Sequence, residues 1–186
     1  MKFVIIPYVE VNGSYSLTDG VLREIWQKIV EQGLMQVVFY RGQITSEDDF
    51  IKLAKASHNV IHFIFTKDEG QIALVAWLND IHETFATAHF LIFQEMWGKQ
   101  SRNLGKLSLQ YWFDFKKNDG SPLLDVIIGK TPHTYEIVIN YLKKLGMTVL
   151  GVVPYVDYDI YKDEKIGHAI SFITREDFQN GQERRE

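Results

Sequence analysis

The chain has 186 residues, 46% hydrophobic and 24% charged, with 20 basic against 24 acidic side chains and a formal net charge of −4. That length suits one domain with a sizeable core, and the mild acidity gives no basis for nucleic acid or an anionic membrane as the main partner. Without cysteine there is no disulfide framework, thiolate metal site or cysteine nucleophile. No apolar run approaches the roughly 20 residues of a membrane span, and Pro7, Tyr8 and Glu10 interrupt the first one too early for a signal-peptide core, so a cytoplasmic protein is the expectation.

Residues 2–9 alternate as a strand, with Asn12-Gly13 as a turn. Thr18 reads as a helix cap ahead of Val21, Leu22, Ile25, Trp26, Ile29 and Val30 at helical spacing, closed by Gly33. Residues 35–40 form a short apolar run read as a strand. Ser46, with Glu47, Asp48 and Asp49 behind it, starts a second helix that fades near His58. Residues 60–65 and 71–78 flank the turn-rich Lys67-Asp68-Glu69-Gly70 and predict a hairpin. A third strand follows over 87–96. The segment 104–115 has helical character and stops at the loop 116–122. Residues 123–128 are apolar as in a strand buried on both faces. Thr131-Pro132 reads as a helix start, with Val138, Tyr141, Leu142 and Leu145 on its apolar face and Gly146 as a left-handed cap. Residues 148–153 and 166–174 predict an antiparallel pair across an acidic, tyrosine-rich loop, 155–165. Residues 179–186 read as a frayed polar tail. The aromatics, 13% of the chain, fall mostly in these strand-like runs, as sheet core rather than a stacking surface for bases. One domain over 1–186 is expected, with neither repeat nor linker.

The run Gln100-Ser101-Arg102-Asn103-Leu104-Gly105 stands between the apolar run 89–96 and a helical segment. A strand that breaks into a polar loop before a helix leaves free amides and a positive dipole end, which suit a diphosphate. The same residues are compatible with a solvated helix cap that binds nothing.

This run resembles the pyrophosphate-binding signature of the GNAT superfamily of acyl-CoA N-acyltransferases, Gln/Arg-x-x-Gly-x-Gly/Ala. Gln100 and Gly105 match it, and Asn103 stands at the first glycine, a residue that also visits left-handed backbone. Tyr141-Leu142-Lys143-Lys144-Leu145-Gly146-Met147 is similar to the family's helix-to-strand turn. The resemblance spans about residues 35–174. It implies an α/β fold, a central splayed mixed β-sheet flanked by helices. It further implies acetyl-CoA or another coenzyme A thioester as co-substrate, no metal, and a small-molecule or protein amine as acceptor. Oligomeric state stays open, a homodimer included. Around Phe90, Phe93, Trp112 and Thr131-Pro132 the chain is similar to divergent members found among bacteriophage genes.

On that resemblance, the backbone donors of residues 102–105 bind the diphosphate. The side chains of Gln100, Ser101, Arg102 and Lys106 assist, and Leu104 and Gly105 complete the turn. Glu95 leads as general base, being near the end of the signature strand; His89 on the same strand and Asp125 on the neighbouring one are the alternatives. Tyr141 is the candidate acid for the departing thiolate. Two departures stand beside these. Tyr135 occupies a position where many members carry asparagine, and Leu142 one where they often carry tyrosine. Each candidate also has a plain structural reading, as an exposed strand carboxylate, a hydrogen-bonded acid or a packed tyrosine, and a catalytically inactive scaffold or partner-binding protein is the competing function. The acidic segment 157–164 is either a solvated loop or a neighbour of the acceptor site that favours cations.

Overall fold

Thr18 opens the first helix by accepting a hydrogen bond from the Val21 amide at 3.4 Å. The apolar stripe behind it becomes α1 (Asp19–Glu31), with Leu22, Ile25, Trp26 and Ile29 buried. The structure, a computed structural model, describes residues 1–183. Ser46 caps α3 (Glu47–Lys55) reciprocally: its hydroxyl accepts from the Asp49 amide at 3.2 Å and donates to the Asp49 carboxylate at 2.8 Å. Between these helices, 35–40 is not a strand. Gly33 turns the chain at φ 66° and Leu34–Val38 forms a short helix, α2, which buries Leu34 while the next residue, Phe39, packs on Trp77 at 6.1 Å. So brief an apolar run carries no period that separates helix from strand.

Seven strands form one mixed sheet, in the order β1-β4-β5-β6-β7-β9-β8. They are β1 (Phe3–Pro7), β4 (Val60–Thr66), β5 (Ile72–Asn79), β6 (Phe85–Ile92), β7 (Val126–Pro132), β8 (Thr148–Asp159) and β9 (Glu164–Thr174). A two-residue hairpin, β2 (Glu10–Val11) and β3 (Ser14–Tyr15), stands apart. One face of the sheet packs on α4 (Lys99–Phe113), α5 (Glu136–Leu145) and α6 (Arg175–Glu183), around Leu104, Trp112, Ile127, Leu145 and Ile173. The other packs on α1, α2 and α3 around Trp26, Phe39, Phe50, Phe63 and Leu91. Each face thus buries its own apolar set, as layered α/β architecture requires.

Four boundaries differ from the sequence reading. Strand β7 begins at Val126 rather than residue 123 and runs on to Pro132, so Thr131-Pro132 ends a strand and α5 starts four residues later. Most of the segment 155–165 is strand, because Asp159 turns the chain tightly by accepting from the Tyr161 and Lys162 amides at 3.0 and 3.2 Å. The expected tail is helical through Glu183, with Thr174 accepting from the Asp177 amide at 3.0 Å ahead of it; residues 184–186 lie outside the described residues. Finally, β6 ends at Ile92, and Gln94–Met96 is a 3-10 turn.

All neighbouring strands are antiparallel except β6 and β7, which run parallel and meet over three pairs, Phe85↔Val126, Ala86↔Ile127 and Thr87↔Ile128. On its other side β6 stays paired with β5 out to Ile92, and β7 stays paired with β9 out to Pro132. The sheet therefore opens between β6 and β7 past Thr87 and Ile128.

Candidate functional site at the open seam

The Phe93 amide donates to Ala73 O at 3.2 Å. Strand alternation then turns the odd-numbered amides of β6 toward β5 and the even-numbered ones toward β7. Thr84 O follows the same parity, accepting from the Asp125 and Val126 amides at 2.7 and 3.1 Å. Past Thr87, where β7 has left, Ala88, Phe90 and Ile92 face the gap. The Ile92 carbonyl is occupied, since the Trp97 indole donates to it at 2.9 Å. The Phe90 and Ile92 amides point into the gap as donors.

The gap leads to the start of α4. Gly98 caps that helix with φ 85° and ψ −128° and no side-chain hydrogen bond, a conformation essentially closed to other residues. A Cβ there would meet nothing within 4 Å; backbone conformation, not crowding, demands the glycine. The free helix-start amides are those of residues 98–101. This corrects the expected loop. Residues 100–105 lie within the first two turns of α4, where the amides of 102–105 serve the helix itself and Asn103 is helical rather than left-handed. Nothing between Lys99 and Leu104 breaks a helix, so the chain turns earlier, at Gly98, which the sequence reading passed over.

The predicted side chains divide accordingly. Gln100 and Arg102 place Oε1 and Nε out of solvent with no hydrogen-bond partner. Ser101 Oγ donates to Gly98 O at 2.7 Å. Asn103 is exposed, Lys106 half-buried and Leu104 fully buried in the core. Gly105 serves packing between helices: a Cβ would lie 2.1 Å from the Tyr141 hydroxyl and 2.7 Å from Leu145.

Tyr141 donates to Ser101 O at 3.0 Å, and burial pushes its phenol above the ordinary range. Glu95 lies in the 3-10 turn, ion-paired to Lys28 at 2.9 Å and accepting from Gln32 at 2.9 Å. Partial burial alone would raise its carboxyl, but those two partners outweigh it and hold it below the usual range. Asp125 is at the opposite end of the seam, beside Thr84, mostly exposed and 4.0 Å from Arg175 Nε. At about 3.3 Å per residue it is roughly 20 Å along the strands from Phe90. Glu95 and Asp125 are therefore not brought together, and only Tyr141 touches the first turns of α4.

A second polar group, of which the sequence reading held only Asp157 in the acidic segment, joins the turn after α2 to β8 and β9. Tyr40 Oη is 2.9 Å from His168 Nε2 and 3.1 Å from Asp157 Oδ2; His168 Nε2 is 3.2 Å from the same carboxylate, and Arg41 pairs with it. Asp157 and His168 are nearly buried, with side-chain exposures of 10% and 7%. His168 was visible in the sequence only as a lone histidine in an apolar strand. Three acids of the acidic segment have partners: Asp157 holds Arg41 of the turn after α2, Asp159 holds Lys162 at 3.3 Å, and Asp163 accepts from Tyr158. Among the described residues no group of three or more His, Asp or Glu side chains could hold a metal ion, and no helix is long and apolar enough to cross a membrane.

No family model matches the sequence, and no curated protein matches it. Solved structures do. The spermidine N-acetyltransferase from Vibrio cholerae, in complex with CoA and spermine, aligns over 96% of this chain and 98% of its own with TM-score 0.73 at 14% identity. The ribosomal-protein-S5-alanine acetyltransferase from Vibrio fischeri aligns over 87% and 92%, TM-score 0.65, at 13% identity. An acetyltransferase of the GNAT family from Streptococcus pneumoniae aligns over 93% and 99%, TM-score 0.57, at 13% identity. The chain has the GNAT fold. Within it, the two departures from the family pattern have definite places. Tyr135 caps α5 with its ring under the Lys162 ammonium at 4.9 Å, and Leu142 is buried against the α4 side of the sheet.

Proposed function

We propose that this protein transfers an acetyl group from acetyl-CoA to a primary amine while both are bound. The observation that carries this reading is the seam: β6 and β7 part at their C-terminal ends, and the gap runs onto the uncapped start of α4. The residues present fit a coenzyme A thioester. Gly98 presents bare backbone, and the amides of 98–101 with the helix dipole suit the diphosphate. Lys99 and Arg102 add charge, and the partnerless Gln100 Oε1 and Arg102 Nε offer further contacts. The donors of Phe90 and Ile92 suit the amide carbonyls of the pantetheine arm and, in the reaction, the thioester oxygen as it gains charge. The amine nitrogen attacks the thioester carbon and the carbon–sulfur bond breaks, with no enzyme nucleophile in a chain that has no cysteine. Tyr141, buried and protonated beside Ser101, is the acid nearest the first turns of α4. The amine class is supported by the spermine in the Vibrio cholerae neighbour.

Saturating acetyl-CoA is expected to raise Tm, since ligand at a hundredfold over Kd stabilises by about 2.7 kcal/mol. Gly98→Ala should cut the affinity at least tenfold by calorimetry. A wild-type protein that shows neither heat nor Tm shift with acetyl-CoA overturns the reading. Binding without turnover of any amine leaves the scaffold role instead.

A further inference from the structure

The seam has two faces. On β6, Leu91 and Phe93 belong to the α1–α3 core, so His89 faces that side too; on β7 and β9, Ile127 and Ile173 belong to the α4 side, so Lys130 and His168 face away from it. The α4 face carries the helix start proposed for the diphosphate. The α1–α3 face is bordered by His89 on one bank and by Lys130 and His168 on the other, with Tyr40 and Arg41 closing it from the turn after α2. His168 pairs with Pro132, within the stretch of β7 that has already left β6.

We propose that Tyr40 and His168 are the proton-accepting pair for the acceptor amine, held in place by Asp157 and Arg41. The proposal rests on the acetyl-transfer reading and names the other half of that site. The geometry is graded from surface to interior. Tyr40 is half-buried and therefore reachable, whereas His168 and Asp157 are almost closed off. As the amine nitrogen bonds to the thioester carbon and the carbon–sulfur bond breaks, the ammonium proton passes to Tyr40 Oη. The phenol proton passes across 2.9 Å to His168 Nε2, leaving a neutral tyrosine and an imidazolium beside the Asp157 carboxylate. The imidazolium later releases its proton to solvent.

The groups facing His168 suit a base that is neutral at rest. Burial lowers its basicity, the Asp157 carboxylate opposes that, and Arg41 and Lys130 reinforce it. Asp157 stays ionised because the Tyr158 amide and Arg41 outweigh its own burial, leaving the Tyr40 proton for His168. The other histidine at the seam, His89, is occupied: it stacks on Trp77 at 4.8 Å and bonds Asn79 at 3.1 Å. Glu95 and Asp125 lie elsewhere, as described above.

The test compares the wild-type chain with Tyr40→Phe and His168→Gln, using acetyl-CoA with n-butylamine and with spermine. Release of the coenzyme thiol reads turnover without background from a cysteine-free protein. Each variant should lose about a hundredfold in kcat at pH 7, with acetyl-CoA affinity within threefold of wild type. Wild-type kcat should rise with pH through the His168 titration, below about 6.5, and level above it; His168→Gln should lack that limb. Variants that bind acetyl-CoA and keep both the wild-type kcat and the limb overturn the assignment while acetyl transfer stands. Parallel losses of Tm and coenzyme affinity with the limb intact also overturn it, marking a structural clamp. If neither amine turns over, imidazole NMR decides: displacement of the His168 resonances by n-butylamine supports the pair, and its absence overturns it. Failure of the wild type to bind acetyl-CoA sinks the underlying reading instead.

Discussion

The half of the sheet from β1 to β6 is sealed: each strand pairs antiparallel with the next, with one bulge between Ile64 and Phe65, and a buried histidine there is locked among aromatic rings. His62 on β4 typifies it, fully buried, 2.8 Å from Ser108 Oγ and edge-on to Tyr111 and Trp112. The β6–β7 seam is the reverse, with three register pairs, donors facing a gap, and histidines on both banks. His62 and His168 are both buried, yet His62 has a hydroxyl and rings for company while His168 has a carboxylate, a phenol and a nearby guanidinium. Burial by itself thus makes a histidine part of the core; burial beside an ionised group and a reachable hydroxyl gives it a proton to handle.

The largest expected effect tests the sealed half. Burial pushes His62 down to about 3, so the folded state disfavours its charged form. Its contribution is intact above the unfolded value of about 6.5 and is lost as pH falls toward the folded value, about 3 kcal/mol by pH 4. His89, pushed down to about 4, adds in the same window. Urea unfolding between pH 7 and pH 4 should show this slope, and His62→Gln should remove about half of it, His89 supplying the rest. A slope unchanged in that variant would mean the site admits water.

Next comes the contact that holds the seam's helix. Gly105→Ala places a methyl against the Tyr141 hydroxyl and Leu145 and should cost about 2 kcal/mol by overpacking, roughly 4–8 °C of Tm. Tyr141→Phe in that background should recover part of the loss, Leu145 remaining in the way. Calorimetric scans of the wild type and both variants measure it.

The smallest effect is expected at Glu95. Its ion pair with Lys28 is partly exposed, so Glu95→Gln should change stability by about 0.5 kcal/mol or less and leave kcat within twofold. A hundredfold fall in kcat would return the base to Glu95 and displace the Tyr40–His168 pair.

Much of the sealed half was legible in the sequence, because its signals are local. Thr18 and Ser46 cap where their chemistry dictates, and Lys67 to Gly70 turn the hairpin between β4 and β5. At the seam, local signals mislead. The family-like run from Gln100 to Gly105 lies in the first turns of α4, yet Gly98 sets the helix start and Gly105 answers to a helix neighbour 36 residues later in sequence, Tyr141. Where β7 leaves β6 is decided by pairing with β9, to which no property of 126–132 alone points. Tyr40 and His168 are 128 positions apart, so only the folded sheet brings them together.

Trp97, tethered to the Ile92 carbonyl at the entrance to α4, is 57% exposed, whereas Trp26, Trp77 and Trp112 are at most 6% exposed. Of the four indoles in the chain, the solvent-facing one stands beside the helix start that we propose for the coenzyme diphosphate. The molecule thus carries an intrinsic optical reporter at that doorway, whose emission can be read against three chromophores shielded from water.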